Sequence, residues 1–174
     1  MRQQAEEPSG QVSGRGSGGG FSLLELLIVV AVILTIAAIA IPNFMRSRMR
    51  ANEAAAVANA RNIVTAEVVY STTYAIGYSS SLAKLGSPPG GSILVDANNA
   101  GLIDDILAAG AKSGYRFTYA ATDLDGDGKM DVYTLNADPL SPGTTGDRHF
   151  FTDQSGVIHF NTSAPATIND SPIS

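Results

Sequence analysis

Residues Phe21 to Ile41 read FSLLELLIVVAVILTIAAIAI, 21 positions whose only charged member is Glu25. As a helix this run rises about 31 Å, enough to cross a hydrocarbon core of roughly 30 Å once. From Leu26 to Leu34 every face of that helix is apolar, more than a domain of this length encloses. A secretory signal would offer Ala38-Ile39-Ala40 for cleavage, but its apolar region is uncharged and ordinarily about 7 to 15 residues long. The length of the run and the presence of Glu25 favour a span that is kept.

On the N-terminal side, residues 1–20 hold Gly10, Gly14, Gly16, Gly18, Gly19 and Gly20 among Ser and Gln. Such a segment has little apolar surface to offset the cost of ordering it and reads as disordered. On the other side Pro42 closes the run, and from Asn43 to Tyr70 there is neither Gly nor Pro but abundant Ala. This predicts that the helix continues to about Tyr70 with a kink at Pro42. Val57, Val64 and Val68 form one stripe along it, but Ile63 and Tyr70 lie elsewhere around the axis, so contacts are expected on several sides of the helix.

Gly77, Gly86 and Ser87-Pro88-Pro89-Gly90-Gly91 mark a long loop with a short turn at Ser81 to Leu85. Leu102, Ile103, Ile106 and Leu107 recur at helical spacing, predicting a short helix within Ala100 to Lys112. Tyr115, Phe117 and Tyr119 alternate with polar residues, the period of a half-buried strand. Further strands are expected at Val132 to Asn136, His149 to Thr152 and Val157 to Asn161, the last two joined as a hairpin by Asp153-Gln154-Ser155-Gly156. Short connections favour an antiparallel sheet, and a sheet with one buried face needs a cover. The second half of the long helix supplies it. The class is therefore α+β, organised as 1–20, a span at 21–42, the rest of the helix at 43–72 and a head at 73–174.

Composition narrows the function. The 174 residues suit one domain with an appendage, and a net charge of −5 argues against binding a nucleic-acid backbone. The absence of Cys excludes disulfides, thiolate metal sites and Cys nucleophiles. There is no nucleophile elbow, Walker loop or His-Glu-x-x-His helix, and an enzyme is not expected.

The nine residues from Asp123 to Asp131 do carry a chemical pattern. Asp123, Asp125, Asp127 and Asp131 occupy the first, third, fifth and ninth places of a calcium loop, with Gly128 at the sixth. The twelfth place is Thr134 instead of Glu. Two readings stand: a Ca²⁺ loop and a solvated Asp-Gly turn between strands. His149 and His159 are expected on opposite faces of their hairpin, since a four-residue connection sets that register. They read as ordinary strand residues.

Glu25 needs its own account. A carboxylate inside a spanning helix costs several kcal/mol at mid-bilayer and less near an end, so it is retained for a purpose.

Gly20-Phe21-Ser22-Leu23-Leu24-Glu25, followed at once by the apolar run, Pro42 and a long helix, resembles a type IV prepilin. The resemblance implies that a membrane prepilin peptidase cuts after Gly20 and methylates the new amino group of Phe21. It further implies assembly through the helix into a homopolymer, with Glu25 pairing to a neighbour's Phe21 amine and Pro42 closing the helical core segment. The remaining partners would be the pilus or secretion machinery of the inner membrane. The protein would be an inner-membrane precursor and then a surface filament, with its leader in the cytoplasm and its head exported. This orientation runs against a count of flanking charges, because Arg46, Arg48 and Arg50 outnumber Arg2 and Arg15. A type II secretion pseudopilin shares the same signature, and a membrane-tethered binding module that never polymerises is the alternative from another class.

Overall fold

The computed structural model describes residues 20–91 and 93–173; the Gly-rich segment before Gly20 lies outside them. The chain divides into two units, one ending at Ala40 and one beginning at Ile41. Helix α1 spans Leu23–Tyr74 with Pro42 inside it. It ends four residues beyond the expected Tyr70, where Ala75 takes a left-handed φ of 54° and donates its amide to Ser71. Gly77 then permits a close approach: a Cβ there would lie 2.5 Å from the Met130 carbonyl oxygen, which accepts the Tyr78 amide at 2.9 Å.

In the unit from Ile41, α2 (Leu82–Leu85) and a 3₁₀ turn (Pro89–Gly91) precede α3 (Asp105–Ala108). The helix expected within Ala100 to Lys112 is thus one turn long, for a local reason. The amides of Leu102 and Ile103 are spent on the Leu85 carbonyl at 2.8 and 3.0 Å, and Asp104 caps α3 by accepting from Leu107. Ala111–Lys112 then becomes strand β1, paired with β2 (Tyr115–Thr122). The sheet continues with β3 (Val132–Pro139), β4 (His149–Asp153), β5 (His159–Asn161) and β6 (Ser171–Pro172), each antiparallel to its predecessor in the order 1-2-3-4-5-6. This is the expected α+β arrangement, a long helix packed against an antiparallel sheet.

Period-2 alternation decides which strand residues enter the core. Tyr115 and Phe117 on β2, Tyr133, Leu135 and Ala137 on β3 and Phe150 on β4 are buried. They face Ala56, Ala60, Ile63, Ala66 and Tyr70 of α1, most of them in one hydrophobic cluster. The buried stripe of the helix is therefore not the valine stripe, for Val68 is 53% exposed. Alanines at 56, 60 and 66 let the backbone approach closely, while Ile63 and Tyr70 of the helix join the large core groups of the sheet.

One acid lies inside this stripe. Glu67 is fully buried; Oε2 accepts the Ser79 amide at 2.8 Å and Oε1 the Ser79 hydroxyl at 2.5 Å, while Tyr119 donates to the Ser79 carbonyl at 2.9 Å. The network ties the segment after α1 to the helix and the sheet. Burial raises the Glu67 carboxyl above its ordinary range, and the Ser79 hydrogen bonds oppose the shift only in part. The folded chain therefore holds this proton to higher pH than the unfolded chain, so the Glu67 contribution to stability falls as pH rises above about 4. In urea denaturation of the full chain in detergent, the stability of Glu67→Gln relative to wild type should improve from pH 4 to pH 8. A difference independent of pH would contradict the assignment.

Candidate functional site

Gly20 and Phe21 precede α1 in an open position: among the described residues nothing lies within 4 Å of a Cβ added to Gly20, and Phe21 is 83% exposed. The first helical bond runs from the Leu26 amide to the Ser22 carbonyl at 3.1 Å. Glu25 lies in the first turn of α1, where the helix dipole favours an anion. Among the described residues it has no ion-pair partner. None of the most apolar 18-residue window of this helix is buried, so thirteen Leu, Ile and Val side chains from Leu23 to Ile41 are exposed.

The acidic loop Asp123 to Asp131 is the connection between β2 and β3. Asp123, Asp125 and Asp131 each bring a carboxylate oxygen to within 4.8 Å of the others. Asp127, the fourth acid of the pattern, is not in that group; it accepts the Lys129 amide at 2.8 Å and stands 3.7 Å from the Lys129 ammonium. The carboxylate of Asp123 accepts the Gly128 and Gly126 amides at 2.8 and 2.7 Å, and these bonds hold its acid form below the ordinary range. Gly128, at the sixth place, has a φ of +87°, as a tight loop requires there.

The two histidines share a face, contrary to the opposite-face expectation. Strand β4 extends one residue further than anticipated, pairing Asp153 with Thr134, and the hairpin register shifts with it. His149 then stands opposite Asn161 and His159 opposite Phe151. Each ring has a separate partner, His149 with Asp138 at 2.6 Å and His159 with the Asp170 carbonyl at 2.7 Å. They form no common site.

Against known proteins, the chain is 48% identical over 48 residues to the type IV major pilin protein PilA of Myxococcus xanthus, a stretch covering 28% of this chain and 22% of that relative. It is 43% identical over 51 residues to the type IV wide pilus major component PilA4 of Thermus thermophilus, covering 29% of this chain and 39% of the relative. Both relatives are type IV pilins, and the matched stretch supports the family that the Gly20 to Glu25 signature resembles. The alignments span about a fifth and two fifths of the lengths of these pilins. No family model and no solved structure matches the chain.

Two groups of the chain carry no motif. Glu67 was detectable as an acid in register with Ile63 and Tyr70, a polar residue at core spacing. Its partner Ser79 lies 12 positions on in a loop, and no local pattern points to it. Arg148 has a similar history: it stacks on Phe160 with its guanidinium carbon 4.9 Å from the ring centroid and approaches Glu53 of α1 at 3.9 Å, a pairing across 95 residues of sequence.

Proposed function

We propose that the chain is the structural subunit of a type IV pilus-like surface filament, held first as a monomer in the inner membrane and then polymerised through the apolar half of α1. The observation that carries this reading is a helix whose first half has no buried face, in a chain whose relatives are named as major pilus components. Prepilin peptidase removes the residues up to Gly20 and methylates Phe21, and the assembly machinery of the inner membrane feeds the subunit into the filament. The exposed Gly20 to Phe21 bond suits attack by a membrane peptidase.

Cleavage creates an amine with pKa about 8, cationic at neutral pH, beside an apolar helix. A neighbour's Glu25 supplies its counter-charge as the filament packs. Without it a buried, unpaired charge costs roughly 3 to 5 kcal/mol. Mass spectrometry should find the mature chain starting at methylated Phe21; a start at Ile41 would mean signal-peptide cleavage. Glu25→Gln should be processed and inserted normally, yet leave mature monomer in the membrane without filaments. Normal filament yield would refute the pairing, and uncut precursor would mean that Glu25 serves the peptidase. Deletion that leaves surface filaments intact but blocks export of an enzyme would favour a pseudopilin instead.

The β2–β3 loop is proposed to bind Ca²⁺ through Asp123, Asp125 and Asp131, supported by their convergence within 4.8 Å. Calcium tolerates the irregular oxygen geometry of such a loop better than Mg²⁺ does. Millimolar calcium should raise the Tm of the wild-type chain in detergent and leave Asp131→Asn unmoved. An unchanged wild-type Tm would overturn the site.

A further inference from the structure

Arg46, Arg48 and Arg50 follow the apolar run closely, and the reading above places them on the side of the exported head. All three are exposed, and among the described residues no carboxylate lies within ion-pair distance of them. They occupy different sides of α1. Arg46 and Arg50, four residues apart, share a cleft of about 340 Å³ with Arg148 and with the acids Glu53 and Asp147, while Arg48 lines a separate groove beside Phe44 and Met45. Glu53, the acid nearest on the helix, is engaged by the Asp147 and Arg148 amides at 3.0 and 3.4 Å.

The charge of the unit is strongly polarised. Residues 42–61 carry four Arg against one Glu, whereas residues 62–174 carry five Lys or Arg against twelve Asp or Glu. The cationic end is the end joined to the apolar run. Arg46 lies about 7.5 Å of helix rise beyond Ile41 and Arg50 about 13.5 Å, near a headgroup layer that extends roughly 5 to 8 Å outside the hydrocarbon. Helical side chains tilt toward the N-terminus of their helix, and arginine can reach further by extending its stem. All three guanidiniums can therefore return toward the membrane surface, and their planar donor forks match phosphate oxygens.

We propose that Arg46, Arg48 and Arg50, with Arg148 alongside, form a collar that binds the headgroup phosphates of anionic phospholipids and seats the monomer at the outer surface of the membrane before assembly. This inference rests on the membrane-span reading of the preceding subsection. The acidic remainder of the unit would be repelled by the same surface, so the collar also fixes which end faces the lipid.

The test reconstitutes the full chain in phosphatidylcholine vesicles containing trace spin-labelled phosphatidylglycerol or spin-labelled phosphatidylcholine, and reads the motionally restricted fraction of each label. Wild type should select the anionic label by about threefold or more at low salt. Arg46→Gln/Arg48→Gln/Arg50→Gln should bring the ratio near one. The corresponding Lys triple variant should keep part of the selectivity, and Arg116→Gln on the sheet should keep all of it. A wild-type ratio near one, or full selectivity in the Gln triple variant, would overturn the collar while leaving the span intact. Selectivity retained with loss of chain–chain association would assign the arginines to a second copy and overturn it too. Absence of any restricted lipid would overturn the span and the collar together.

Discussion

An apolar helix surface in water has to be covered, and α1 meets that demand differently along its length. Between Ala56 and Tyr70 the cover is the sheet of the same chain. Between Leu23 and Ile41 nothing among the described residues covers it. Each of the thirteen exposed Leu, Ile and Val side chains there gains about 1.5 to 3 kcal/mol on burial. Together they outweigh the roughly 5 to 15 kcal/mol that separates a folded domain from its unfolded state. The helix therefore calls for an external cover, and in the proposed function lipid followed by copies of the same helix would supply it in turn.

The unit from Ile41 onward is built to be self-sufficient. Alanines of the helix leave room for strand aromatics, Ile63 and Tyr70 of the helix pack beside them, and Glu67 with Ser79 ties the segment after the helix to it. A buried acid is a weak source of stability. What it supplies here is a fixed position for the segment leaving α1, since both carboxylate oxygens are committed to one residue.

Long-period features could be read in advance. The apolar run, the helix beyond it and the alternation of Tyr115, Phe117 and Tyr119 all follow from spacing, which is local. The Gly20 to Glu25 signature pointed to the family that the relatives share. Most of what could not be read depends on partners distant in sequence. The helix expected around Ile106 is cut short because Leu85 takes its first amides. One extra residue in β4 put His149 and His159 on a common face. Asp127 fits the calcium spacing yet turns to Lys129, because spacing fixes the order of ligands and not their direction.

The central claim is that the apolar half of α1 is covered by other copies of itself. Electron cryomicroscopy of filaments sheared from cells producing the chain addresses it directly. The account predicts filaments of this subunit with Phe21 to Ile41 of successive copies packed together at the axis. Filaments whose axis is formed by other segments, with these residues left at the surface, would contradict it, as would sheared material in which the chain is absent.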